Sequence, residues 1–204
     1  MITSTAERRP RVLVLGASLR KESLNVRLAS LAARDAAAHD AEVRTVKFAE
    51  LAVPPLDTDL LATAGIPEGA RRFGDLLSGT DGFIIAAPEY NYSLSGVLKN
   101  LIDWTSRIRP WPFTDRHGLL LSASPMQAGG VRGLWALRIP LEGLGAHVYP
   151  DMFSVSRADT AFTDEDDLAD AQLRARLTQL VGAFLRLTER ARYGDIAPRQ
   201  EPVG

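Results

Sequence analysis

The 204-residue chain contains no cysteine. That removes disulfides, thiolate metal ligands and a cysteine nucleophile in one step. Histidine is nearly as scarce: His39, His117 and His147 are the full complement, scattered without the spacing of a metal site. They read as surface or packing residues. Neither sign of charge dominates, since 24 Lys+Arg against 25 Asp+Glu leave a formal net charge of −1. Electrostatic nucleic-acid binding wants a clear cationic excess, so that class is set aside. No apolar run approaches the length of a membrane span. The polar stretch Met1 to Pro10 lacks the apolar centre of a signal peptide. The expectation is a soluble cytoplasmic protein with one domain over 11–193 and flexible ends over 1–10 and 194–204.

What the chain does have is an alternation of short apolar runs and helical stripes. Arg11-Val-Leu-Val-Leu-Gly16 and Gly82-Phe-Ile-Ile-Ala-Ala87 read as strands buried on both faces, and His117 to Ala123 as another. Val43 to Phe48 alternates like a half-exposed edge strand, and Ala146 to Tyr149 or slightly beyond supplies a fifth. Leu24, Leu28, Leu31 and Ala32 line one face of a helix that ends near His39. A second helix starts with Pro67 in its first turn and runs to Ser78. A third shows its apolar face at Leu94, Val97, Leu98, Leu101, Ile102, Thr105 and Ile108. Val131 to Gly145 is helical in pattern but should kink at Pro140. Thr163-x-x-Asp166 resembles a capping box, which makes Asp164-Glu-Asp-Asp167 the acidic first turn of a last helix. That helix carries Leu173, Leu177, Leu180, Val181, Phe184 and Leu185. Residues 49–66 form an irregular excursion. The aromatic connector Arg109-Pro-Trp-Pro-Phe113 reads equally as a subunit contact through Trp111 and Phe113 or as cover for its own domain.

Strands alternating with helices predict a parallel sheet covered on both faces and joined by right-handed crossovers. Five strands suit the flavodoxin-like order 2-1-3-4-5, a three-layer α/β sandwich whose ligand crevice lies at the carboxyl ends of the strands. Three chemically unusual loops fall there. The first, Gly16 to Asn25, has neither G-x-G-x-x-G nor G-x-x-x-x-G-K-[ST], so it is neither a Rossmann fingerprint nor a P-loop. It offers the hydroxyls of Ser18 and Ser23, the Asn25 amide, the Arg20 guanidinium and backbone N–H groups at a helix start, a set suited to a phosphate monoester. The second, Pro88-Glu-Tyr-Asn91, can edge a planar heterocycle. The third, Ser122 to Gly130, brings small residues and a double glycine close to backbone. No serine sits in G-x-S-x-G, which leaves a hydrolase reading without support.

Gly16-x-Ser18-x-Arg20-x-x-Ser23-x-Asn25, followed by Pro88-Glu-Tyr-Asn-x-Ser-x-x-Gly-x-Leu-Lys-Asn-x-Ile-Asp-Trp104, closely resembles the NADPH-dependent FMN reductases. The resemblance covers roughly residues 11–150. It implies a flavodoxin-like oxidoreductase that passes hydride from NADPH or NADH to bound FMN, and then electrons to a quinone, azo compound or free flavin. It implies Ser18, Arg20, Ser23 and Asn25 around the flavin phosphate, Pro88, Glu89, Tyr90 and Asn91 along the isoalloxazine, and Ser124 approaching from the third loop. It also implies a homodimer or homotetramer. No catalytic side chain is expected, because the cofactor carries the chemistry. Ala17, Ser95 and Arg116 depart from the pattern, Ser95 standing where proline is usual. The competing reading is a non-enzymatic FMN carrier or regulator on the same fold; near-neutral charge and the Arg20 loop weigh against it.

Overall fold

The computed structural model describes residues 9–193, with backbone alone for Arg192 and Tyr193. The ends expected to be flexible therefore lie, apart from Arg9 and Pro10, outside the described residues. The order of elements is β1 (Arg11–Gly16), α1 (Leu24–Ala38), β2 (Glu42–Thr45), a 3-10 turn (Phe48–Leu51), α2 (Thr58–Ala64), α3 (Glu68–Ser78) and β3 (Gly82–Ala86). There follow β4 (Glu89–Tyr90), β5 (Ser93–Leu94), α4 (Gly96–Thr105), β6 (His117–Ala123), α5 (Val131–Gly143), β7 (His147–Val148), β8 (Phe153–Val155), α6 (Ala158–Ala161) and α7 (Ala171–Tyr193). The main sheet is parallel and runs β2-β1-β3-β6-β7. With β6 and β7 as the fourth and fifth strands, this is the expected flavodoxin-like order.

Side-chain alternation along the strands builds two cores. Val12, Val14, Ile84, Leu119 and Leu121 face α1 and α7, whereas Leu13, Leu15, Phe83, Ile85 and Leu120 face α3, α4 and α5. Both sets are removed from water, which is why β1, β3 and β6 read as unbroken apolar runs. The buried Asp35 of α1 receives Arg174 of α7 at 2.6 Å and fixes those two helices together. Its hydrogen bond raises the Arg174 pKa further.

Several expectations need correction. The fifth strand is split: β6 pairs first with His147–Val148 and then with Phe153–Val155, and the register slips by two residues between them. Pro150 lies in the break and has no N–H for a ladder. Thr163 does not open the last helix; its hydroxyl accepts a hydrogen bond from Asp167 N–H inside a turn, and Asp166 sits at φ +58°. The cap is Asp170, whose carboxylate accepts from the N–H groups of Gln172 and Leu173. Asp166 and Asp167 instead pair with Arg27 and Arg174, so the acidic run holds α1 and α7 and is not a helix start. Edge strand β2 stops at Thr45, before the predicted end, because Phe48 turns under the sheet into the second core. Val97 faces solvent on α4, and Trp104 takes the interior position instead.

The excursion over 49–66 is held from α4. Trp104 Nε1 and Asn100 Nδ2 both donate to Pro54 O at 2.7 Å, and Asn100 Oδ1 accepts from Leu56 N–H. The connector at 109–113 also faces its own domain. Phe113 is fully buried, edge-on to Phe73 and Phe83, and Trp111 lies half-buried under Arg109. Phe113 therefore cannot anchor a subunit contact.

Candidate functional site: three loops tied at one sheet edge

The carboxyl ends of β1, β3 and β6 carry the three loops, and hydrogen bonds join each to the next. Asn25, in the first turn of α1, is only 3 % exposed. Its Nδ2 donates to Ala123 O and its Oδ1 accepts from Ala123 N–H, both at 2.9 Å. The first loop is thus pinned to the end of β6. Ser122 Oγ donates to Ala87 O at 2.8 Å and pins the end of β6 to the entry of the second loop. A Cβ placed on Gly130 would sit 2.0 Å from Ser122 Oγ, so the third loop can close over this bond only as glycine.

The first loop fits a phosphate. Ser18 N–H donates to Gly16 O, and Ser18 Oγ accepts from Arg20 N–H at 3.3 Å, forming a tight turn. Ser23 caps α1, accepting from Val26 N–H. The Arg20 and Lys21 side chains form no hydrogen bond or ion pair with another described residue. Two unpaired cations beside the N-terminus of a fifteen-residue helix make an electropositive spot where backbone N–H groups and the helix dipole act in the same sense. Ser18, Arg20 and the N-terminal turn suit the phosphate role expected of them. The Asn25 amide gives its Oδ1 and one N–H of Nδ2 to Ala123, which leaves it a single N–H for that role.

The second loop is a hairpin, where the sequence reading gives only a polar, aromatic loop able to edge a planar heterocycle. β4 and β5 pair antiparallel around Asn91 and Tyr92, at φ +48° and +66°. Positive φ at both central residues defines a type I′ turn, where Asn is favoured and Tyr is strained. The strain is offset from outside the hairpin: the Arg132 guanidinium lies 4.3 Å over the Tyr92 ring. Arg132 also donates to Glu89 Oε1 at 2.9 Å while Gly133 N–H donates to Glu89 Oε2 at 3.1 Å. Glu89 is therefore a clamp between hairpin and α5, with both carboxylate oxygens engaged there. Pro88 is half-buried, Asn91 exposed, and Tyr90 is 51 % exposed at the lip. Ser124 Oγ accepts from Met126 N–H and holds its own loop. Ser95, where proline was expected, caps α4 at φ −66° with its hydroxyl buried and unpaired. The turn keeps a proline-compatible backbone without the ring.

Arg132, Gly133 and Ala123 are absent from the sequence-derived set. Only a hairpin folded against α5 gives the first two a role, and Ala123 acts through its backbone. Two of the three histidines do meet, far from this crevice at the opposite end of the strands: His117 and His147 stack at 5.2 Å. Burial, then the neighbouring His147, lowers the His117 pKa. Among the described residues no cluster of metal-ligating side chains occurs.

The fold and crevice define a flavodoxin-like mononucleotide-binding protein. Comparison with known proteins makes this specific. Residues 10–160 match the family of NADPH-dependent FMN reductases, and the chain belongs to that family. It is 32 % identical over 184 residues to an NAD(P)H-dependent FMN reductase of Pseudomonas aeruginosa, covering 89 % of this chain and 97 % of the relative. It is 34 % identical over 137 residues to a quinone reductase of Escherichia coli, covering 67 % of this chain and 72 % of that one. Among solved structures, a flavoenzyme NAD(P)H:acceptor oxidoreductase from Paracoccus denitrificans superposes with TM-score 0.75 at 25 % identity, over 89 % of this chain and 98 % of that one. The protein is an oxidoreductase of the flavin type, with FMN as cofactor and a nicotinamide nucleotide as reductant.

Proposed function

We propose that the protein is an NAD(P)H-dependent reductase of planar conjugated acceptors, with quinones the best substrates and azo compounds and free flavins lesser ones. One observation carries this reading. The only carboxylate of the second loop, Glu89, has both oxygens engaged by Arg132 and Gly133, so this loop offers a ring tight backbone edges rather than a free carboxylate. FMN, when bound, supplies acceptance of hydride at one face and its onward transfer. The chain supplies position. Arg20 with the first turn of α1 holds the anionic tail, and the hairpin fixes where a ring can lie. The Asn25 and Ser122 bonds keep the loops from drifting apart, which preserves the approach distance on which transfer depends. The exposed rings of Tyr90 and Tyr92 leave the lip open to flat acceptors of differing size. The reading as a cytoplasmic enzyme is supported by a cysteine-free chain in which no helix of the described residues is long and apolar enough to cross a membrane.

The test is steady-state turnover of NADPH and NADH against a panel of quinones, azo dyes and free flavins. Turnover that requires FMN and is fastest with quinones supports the proposal; none with any acceptor rejects it. Arg20→Ala should weaken FMN binding roughly ten- to hundred-fold in a fluorescence titration, the loss of one hydrogen bond to a charged group. An unchanged dissociation constant would remove Arg20 from the phosphate site.

The homo-oligomer also belongs to this reading, at a different surface from the 109–113 connector. Trp135 and Ile139, one turn apart on α5, are 59 % and 75 % exposed, and Tyr92 and Val97 are exposed as well. Apolar surface of this size on one helix face marks an association site. Trp135→Glu should lower the sedimenting mass to that of a monomer at micromolar protein. Equal masses for both proteins would exclude this face.

A further inference from the structure

A cavity of about 690 Å³ lies on the far side of the first loop, between α1 and the segment after β2. Its wall is apolar, with Val26, Ala29 and Phe48, and the exposed Leu19 and Val26 side chains both line it. Its rim is cationic. Arg20, Lys21 and Lys47 contribute to the lining, and none of the three forms an ion pair with another described residue. The one acidic lining residue, Glu50, is engaged by Arg72 at 2.5 Å. An inorganic anion would leave the apolar wall unused, and a purely apolar guest would leave Lys21 and Lys47 unanswered, Arg20 being read above as a partner of the flavin phosphate. A flat heterocycle carrying phosphate satisfies both, and the volume suits one.

Place in the fold selects which phosphorylated nucleoside this is. The cavity shares Ser18, Arg20 and Lys21 with the loop read above as the flavin phosphate site, so its occupant lies next to the flavin. In dinucleotide-binding β-α-β units, whose glycine fingerprint this chain lacks, an acid at the end of the second strand accepts the free ribose 2′-hydroxyl and a cation accommodates a 2′-phosphate; the same place in this sheet is open to the same chemistry. Here β2 ends at Thr45, and Lys47 stands just beyond it. We propose that this cavity docks the adenosine 2′-phosphate end of NADPH, with Lys47 as the side chain that distinguishes it from NADH. The proposal rests on the flavin-phosphate reading of the first loop. Lys47 lies outside that loop, which lets the two be tested apart.

The experiment titrates 2′,5′-ADP and 5′-AMP into the FMN-loaded protein by calorimetry, while flavin absorbance reports retention. 2′,5′-ADP should bind at least tenfold more tightly than 5′-AMP, and Lys47→Ala should abolish the difference. In turnover, Lys47→Ala should raise the KM for NADPH about ten- to hundred-fold, the contribution of a hydrogen bond to a charged group. The KM for NADH should change by less than twofold, and Lys47→Glu should exaggerate the split. Equal binding of the two nucleotides, or discrimination that survives in Lys47→Ala, overturns the proposal. So does release of FMN by 2′,5′-ADP, or FAD uptake with its adenylate blocking that titration; either would assign the cavity to the flavin. A protein that takes up no FMN refutes the reading of the first loop instead, and the same titration of the apoprotein then decides the cavity.

Discussion

Asn25→Ala should be among the most damaging single substitutions in this chain. The Asn25 amide is the buried partner of both the N–H and the C=O of Ala123. Truncation leaves two buried backbone groups without their partners. At about 1–3 kcal/mol for each unsatisfied group, the loss is roughly 2–6 kcal/mol. A chain of this size should lose on the order of 4–24 °C in Tm. The decisive comparison is made without FMN. If Asn25 acted only as a ligand to the flavin phosphate, the apoprotein would melt at the wild-type temperature, and only the increment gained on adding FMN would shrink. The geometry predicts the reverse order: the apo Tm falls first, and FMN binding weakens as a consequence. Asn25→Asp sharpens the test. It keeps the shape and can still accept from Ala123 N–H, but sets a carboxylate oxygen against Ala123 O. It should be nearly as destabilising as alanine. An apo Tm unchanged in both variants would return the side chain to the phosphate.

The Asn25 case shows where sequence reasoning stops. The residue types of the first loop name an anion site, because hydroxyl, amide, guanidinium and helix start all donate hydrogen bonds. Type alone does not say which donors are already spent. The partner of Asn25 lies 98 residues away, and that pairing exists only once β1 and β6 lie in one sheet. Glu89 repeats the lesson: a carboxylate in a crevice loop looks free until α5 brings Arg132 and Gly133 to it. The sheet order, by contrast, was legible, since buried parallel strands announce themselves as continuous apolar runs and α1 and α7 as amphipathic stripes. The hairpin escaped because Tyr92 is a poor residue for its turn, and its support comes from a contact with α5. The capping error at Thr163 has a similar origin. Asp166 and Asp167 have arginine partners on α1 and α7, and those ion pairs hold the segment as a turn until Asp170.

Gly130→Ala should have the second large effect, through the third loop. Gly130 precedes α5 at φ +88°, a conformation that costs a residue with Cβ roughly 1–2 kcal/mol. The new methyl would also meet Ser122 Oγ at 2.0 Å and must drive that hydroxyl off Ala87 O. Losing this bond inside the sheet edge adds about 1–3 kcal/mol. Gly145→Ala provides the control. Its φ is +85°, but its nearest neighbour would be 3.2 Å away, and it lies at the other end of the strands beside Thr114. Both variants carry the backbone penalty; Gly130→Ala alone should part the second and third loops. The expected result is a Tm loss clearly larger for Gly130→Ala than for Gly145→Ala, accompanied by weakened FMN retention in the first only. Adding Ser122→Ala to Gly130→Ala removes the overlapping oxygen and should recover part of the Tm without restoring the Ala87 bond. Equal Tm losses and equal flavin content in the two single variants would show that the glycine serves backbone geometry alone, and that the third loop closes on the crevice without the Ser122 link.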